Sequence, residues 1–203
     1  MTSRSIQDSI VAGFEEGIRL MQSYLADAGG RNVLEEVSKG LVRCFSAQKK
    51  VLICGNGGSA CDAMHFAEEF TGRFQKNRKA LPVISLTDPG HLTCVANDMG
   101  FEEVFSRGVE AYGQEGDWLI ALSTSGNSPN IIRAVEAAEN QGLSTFCLLG
   151  KDGGKLLGKA QFETVIPGTT SDRIQEVHMV ILHMLIELVE RQMFPENYES
   201  VGE

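Results

Sequence analysis

The chain has 203 residues and a formal net charge of −9, a length that suits one domain with a sizeable core. That acidity argues against a general nucleic-acid or anionic-membrane surface, but not against an anionic substrate held in a locally positive pocket. No window is apolar and long enough to span a bilayer, residues 1–20 lack the pattern of a secretory leader, and five scattered cysteines without a C-x-x-C pair read as free thiols of a reducing cytoplasm, where the protein is therefore expected.

Ile6, Ile10, Phe14, Ile18, Met21 and Leu25 recur at spacings of three and four and predict a helix over residues 3–27. Ala28-Gly29-Gly30 is expected to stop it. Val33, Leu34, Val37, Leu41, Val42 and Phe45 predict a second helix over 31–47. Residues 1–48 thus form a helical hairpin, expected to pack on the main domain or on a neighbouring subunit as part of one unit. From Lys50 onward, short apolar runs alternate with helical stretches. Strands are predicted at 50–54, 81–86, 117–122, 144–149 and 162–166, and helices at 58–73, 101–112 and 128–141. This alternation implies an α/β fold, a parallel five-stranded sheet flanked by helices, over residues 49–193.

The last predicted helix, 171–193, is apolar around nearly its whole circumference, with Val177, Met179, Val180, Ile181, Leu182, Met184, Leu185, Ile186, Leu188 and Val189. A helix apolar all round must be buried all round, and a subunit interface is the simplest cover in a domain of this size. The tail, 194–203, is polar and expected to be loosely ordered.

Ligands of open α/β sheets sit beyond the carboxyl ends of the strands. Two similar turns stand there: Cys54-Gly55-Asn56-Gly57-Gly58-Ser59 and Ser123-Thr124-Ser125-Gly126-Asn127-Ser128. Small residues let the backbone approach a ligand, and free N–H groups at a helix start attract anions. Neither turn is a Walker loop or a G-x-G-x-x-G fingerprint. Ser128 before Pro129 suits an N-cap and first helical residue, which explains Ser128 but not Ser123 to Ser125. Together the turns suggest a pocket for a phosphorylated, polyhydroxylated small molecule. Cys54 and Cys61, which flank the first turn, read as buried small residues.

The helix after the first turn carries His65, Glu68 and Glu69. At about 100° per residue, His65 and Glu69 fall within about 40° of each other, whereas Glu68 points elsewhere. A His and a carboxylate at i, i+4 are either two metal ligands, an acid/base couple, or ordinary surface charges. The last helix carries Gln175, His178 and His183. His183 lies in an apolar stretch, as a satisfied core histidine or as a proton-transfer group or metal ligand; His178 faces about 140° away from it.

Together with Asp62-Ala63-Met64-His65-Phe66-Ala67-Glu68-Glu69, Ala96-Asn97-Asp98 and Asp172-Arg173-Ile174-Gln175-Glu176, the two turns resemble the sugar isomerase (SIS) family over residues 5–193. The resemblance implies a flavodoxin-like core with an N-terminal helical extension. It also implies a cytoplasmic homotetramer with active sites at subunit interfaces. Within the family the motifs are similar to those of the branch that converts sedoheptulose 7-phosphate to D-glycero-D-manno-heptose 7-phosphate, the first step toward ADP-heptose and the lipopolysaccharide core.

By that resemblance, Glu69 and His183 are the catalytic pair, and His65, Glu69, Gln175 and His183 hold a zinc ion, one per subunit. Asn56, Gly57, Gly58, Glu69, Asn97, Asp98, Ser123, Thr124, Ser125, Ser128 and Gln175 bind substrate. No nucleotide cofactor is expected, because moving a proton between adjacent carbons through an enediol needs none. The resemblance also extends to a non-catalytic SIS protein that binds the replication initiator DnaA. That protein lacks the equivalents of Glu69 and His183, which this chain keeps. Five-carbon isomerases with regulatory modules and DNA-binding SIS regulators fit less well, since neither appended part is recognisable here.

Overall fold

The computed structural model describes residues 5–198, so the first residues of the expected first helix and residues 199–203 of the tail lie outside the described residues. Ser5 opens α1 (Ile6–Ala26) through a reciprocal box: its hydroxyl accepts from the Asp8 amide at 3.0 Å, and the Asp8 carboxylate accepts from the Ser5 amide at 3.3 Å. Asp27 then serves two helices. Its amide donates to the Ser23 and Tyr24 carbonyls at the end of α1, and its carboxylate accepts from Gly29 at the start of α2 (Ala28–Ser46). Ala28-Gly29-Gly30 is therefore the first turn of α2 rather than a stop, because a capping aspartate lets the second helix begin where the first ends.

The chain continues through β1 (Val51–Gly55), α3 (Gly58–Thr71), β2 (Val83–Ser85), α4 (Pro89–Asp98), a 3-10 turn (Phe101–Glu103), α5 (Val104–Tyr112), β3 (Trp118–Ser123), α6 (Pro129–Asn140), β4 (Ser144–Gly150), β5 (Phe162–Ile166) and α7 (Ser171–Met193). The strands form one parallel five-stranded sheet in the order β2-β1-β3-β4-β5, the flavodoxin-like arrangement. Helix α4 is absent from the sequence prediction. Its start nevertheless carries a signal, since Asp88 accepts from the His91 amide at 2.8 Å and Pro89 occupies the first turn. The stretch predicted as one helix over 101–112 divides into the 3-10 turn and α5.

Alternate strand residues serve opposite layers. Ile53, Ile120, Leu122, Phe146 and Leu148 belong to the core shared with α1, α2, α3 and α7; Leu52, Cys54, Leu119, Ala121, Cys147 and Leu149 belong to the core under α4, α5 and α6. Helix α7 is covered by α1, α2, α3, β4 and β5. Ile174, Val177, Ile181, Leu182, Leu185, Ile186 and Val189 are buried, while Val180 and Met184 are about two-fifths exposed. Most of the cover that the sequence assigned to a neighbouring subunit thus comes from the chain itself.

The reverse holds for α1. Its apolar stripe faces away from the domain: Ile6, Ile10, Phe14, Ile18, Met21 and Leu25 are all exposed, Phe14 by 71%. The helix turns Gly17 and Leu20 inward instead, with Leu20 wholly buried in the core. The Gly13 carbonyl accepts from Arg173 Nη1 at 3.3 Å, and Gly17 sits against the Glu176 carboxylate. The tail is tied down as far as it is described. Tyr198 donates its hydroxyl to Glu190 at 2.8 Å, and Asn197 donates its amide to the Asn77 carbonyl at 3.2 Å.

Candidate active site

The turn after β1 departs sharply into α3 through Gly57, whose φ of +56° lies in the left-handed region where a Cβ is strained. No side chain caps α3; within the turn the Ser59 and Ala60 amides donate to the Asn56 and Gly57 carbonyls, and the Gly57 and Gly58 amides stand at its start. Asn56 is fixed by a reciprocal amide pair with the buried Asn130 on α6, at 2.9 and 2.8 Å. On the other side of Gly58 lies Gln175 of α7, whose amide nitrogen donates to the Ser59 hydroxyl at 3.3 Å.

In the turn after β3, two hydroxyls that the sequence marked as surplus to a turn help to build it. Ser123, which is buried, accepts from the Gly126 amide at 3.1 Å, and Ser125 accepts from the Asn127 amide at 3.2 Å. Each still has its own proton to donate. Thr124 shares a hydrogen bond with Ser171 at 3.0 Å. Ser128 occupies the N-cap position with Pro129 following it, but its side chain makes no capping bond and its hydroxyl is unused there. Gly126, at φ +62°, admits no Cβ, which would lie 1.8 Å from the Gly153 carbonyl oxygen. Asn56, Ser128, Pro129 and Asn130 line an open cleft of about 430 Å³ together with Phe101, Glu102 and Arg133.

Two turns along α7 from Gln175, about 12 Å at 1.5 Å per residue, a second cluster forms. His65 Nε2 lies 3.2 Å from Glu69 Oε1 and 3.2 Å from His183 Nε2. One ligand atom from each of the three residues falls within 4.8 Å of the others. His183 is part-exposed rather than buried in an apolar stretch, because α3 presents His65 to it and Phe74 stacks on its ring, with centroids 5.8 Å apart and an interplanar angle of 25°. Its partial burial, and then the neighbouring His65, hold the His183 imidazole below its ordinary pKa, with Glu69 opposing. That favours the neutral ring, which both donates and accepts protons. Two imidazole nitrogens and a carboxylate oxygen converging on one point are also the donor set of a zinc site.

The remaining expected residues lie elsewhere. Glu68 is exposed and outside the cluster. Asn97 and Asp98 end α4, hydrogen-bond to each other at 2.7 Å, and do not line the cleft. His178 is buried and belongs to the fold, with its ring nitrogen 2.9 Å from the Leu149 carbonyl and burial pushing its pKa down to about 4. Cys54 is buried, with its thiol pKa pushed up by burial, whereas Cys61 is exposed, contrary to expectation. Asp62, one turn before His65, has its carboxyl pushed up to about 6 by burial, with His65 opposing. Sequence reasoning missed Asn130, Arg133 and Phe74. Only Asn130 carries a signal, as a polar residue in the first turn of a helix that starts at the cradle.

The SIS domain family model matches residues 14–150. The chain belongs to the SIS domain family. Within this SIS family, it is 60% identical over 190 residues to the phosphoheptose isomerase of Fusobacterium nucleatum, covering 94% of this chain and 98% of that one. It is 50% identical over 188 residues to the phosphoheptose isomerase of Edwardsiella ictaluri, covering 92% and 97%. Among solved structures, a phosphoheptose isomerase from Francisella tularensis superposes with a TM-score of 0.88 at 33% identity, over 93% of this chain and 100% of that one. The phosphoheptose isomerase GmhA from Neisseria gonorrhoeae superposes at 0.84 and 36% identity, over 92% and 99%.

Proposed function

We propose that this SIS-family enzyme, a sugar-phosphate isomerase, converts sedoheptulose 7-phosphate to D-glycero-D-manno-heptose 7-phosphate and so supplies ADP-heptose synthesis. The observation that carries the reading is the convergence of His65, Glu69 and His183 at 3.2 Å spacings, two helical turns from the cradle that the two turns form. The names of its relatives support the seven-carbon substrate.

Glu69 takes the proton from the carbon beside the ketose carbonyl, and His183 gives a proton to the carbonyl oxygen, leaving an enediol. His183 then recovers a proton from the oxygen of the first carbon, and Glu69 returns its proton to the second. The chain ends as it began, and the ketose has become an aldose. The turns hold the phosphate, with Gly57 and Gly58 offering amides and Ser123, Thr124, Ser125 and Ser128 offering hydroxyls, while Asn56 and Gln175 orient the sugar. A bound zinc ion, one per subunit, would supply a Lewis acid for the two sugar oxygens. His65, Glu69 and His183 fit it by chemistry and spacing, whereas Gln175, expected as a fourth ligand, reaches Ser59 two turns away along α7.

The proposed assembly is a homotetramer whose interfaces cover the α1 stripe and complete the active sites. A cytoplasmic location accords with the fact that no helix among the described residues is long and apolar enough to cross a membrane. The second reading, a binder of the initiator DnaA, draws no support from the relatives above. Turnover of sedoheptulose 7-phosphate, measured beside five- and six-carbon ketose phosphates and with and without chelator, tests the proposal. Preference for the seven-carbon sugar and loss of rate on chelation are expected. No turnover of any ketose phosphate would overturn it.

A further inference from the structure

Arg78 lies between α3 and β2, and its side chain and that of Glu190 on α7 are both wholly buried. Its Nε donates to Glu190 Oε1 at 2.7 Å. Its Nη1 donates to the carbonyls of Phe70 at 2.8 Å and Gly72 at 3.1 Å, and its Nη2 donates to the carbonyl of Glu69 at 2.6 Å. The second oxygen of Glu190 accepts from Tyr198. Burying an ion pair is costly, and an apolar pair of similar volume would hold α3 against α7 as well. A planar guanidinium adds something an apolar pair cannot: a fork that grips several carbonyls at a helix end, where the helix offers no further N–H. One of those carbonyls belongs to Glu69 itself. The segment that Arg78 anchors also carries Phe74, which lies against the His183 ring.

We infer that Arg78 is a positioning residue for the isomerisation. It fixes the Glu69 carboxylate by holding that residue's backbone, and it fixes the His183 imidazole by anchoring the segment that lays Phe74 on it. The inference rests on the proposed roles of Glu69 and His183. Arg78 itself is buried behind α3 and touches no substrate.

Three variants, each assayed well below its melting temperature, test this. R78K keeps a charge for Glu190, but one ammonium cannot hold the same set of carbonyls. Its kcat is expected to fall about 100-fold, the effect of a displacement of about 1 Å at a reacting group, while KM changes less than about threefold. R78M/E190Q removes both charges, so no ion is left buried alone, and the same fall in kcat with a steady KM is expected. Y198F removes the hydroxyl on Glu190 without touching the carbonyl contacts, so it is expected to lower the melting temperature and keep kcat.

Wild-type kcat in folded R78K or R78M/E190Q overturns the inference, as does a loss of kcat in all three that simply follows melting temperature. The underlying acid/base assignment fails separately, if E69Q turns over normally whatever the Arg78 variants do.

Discussion

The two ends of the α3–α7 pairing are built on opposite terms. At the cradle end, the fold already uses most of the polar groups. Asn56 is locked to Asn130, Ser123 and Ser125 cap their own turn, and Gln175 reaches Ser59. At the other end, the side chains of His65, Glu69 and His183 meet chiefly one another. A binding surface gains precision from groups held by the scaffold, because little ordering remains when the ligand arrives. An acid/base cluster needs groups whose protons are free to move. Substitutions at the cradle are therefore expected to disturb fold and binding together, whereas those in the cluster should remove turnover and leave the fold alone.

The largest test of that contrast is Glu69→Gln. Turnover is expected to fall by about 10³-fold, within the range for a lost general base, with the melting temperature and the assembly unchanged. A matching loss of stability would place Glu69 with the cradle instead.

Next is His178, only five residues before His183 on α7. Its folded pKa of about 4 lies below the ordinary value of 6.5, so between those pH values the unfolded chain binds a proton that the folded chain refuses. Stability therefore rises with pH through this window, is complete above about 6.5 and is lost as pH falls toward 4. The difference amounts to about 3 kcal/mol. His178→Met is expected to flatten that acid limb in urea unfolding at pH 7 and 4.5, while kcat at pH 7 changes little.

At the cradle, Asn130→Ala leaves the Asn56 amide without its partner. A loss of about 1–3 kcal/mol is expected, with KM raised about tenfold and kcat nearly kept; an unchanged melting temperature would show that the amide pair does not stiffen the cradle. The smallest effect is expected of Ser128→Ala. Replacing an N-cap serine commonly costs about 1 kcal/mol, but this hydroxyl makes no capping bond. Thermal unfolding should change by less than about 0.5 kcal/mol while KM rises a few-fold, the signature of a cradle hydroxyl kept for a ligand.

The strands and both turns could be read from the sequence because apolar runs ending in glycine or serine allow few alternatives. The i, i+4 spacing put His65 and Glu69 on one face of α3, and the structure brings their side chains together. It could not bring in His183, 118 residues later, since local spacing says nothing about which helices become neighbours. Helix α4 escaped because Leu92 and Val95 make too short an apolar pattern, leaving Asp88-Pro89 as its one clear signal. Periodicity also marked the α1 stripe without telling inward from outward, and here Gly17 and Leu20 face the domain while the six residues of the stripe face away. Arg78 stands in an irregular connection, and its partners follow from tertiary contact alone.

The layer made by α1, α2, α3 and α7 has one consequence for how the protein comes into being. It joins the first helices synthesised to the last, so α1 and α2 lack their α7 partner, and β4 and β5 lack its cover, until α7 has been made. Such pairing of distant segments is slow, because loop closure must precede the contacts that reward it. Until then Phe146 and Leu148 of β4 lack the cover of α7. Helix α7, whose His183 completes the proposed catalytic cluster, also ends the period in which the chain is most open to aggregation.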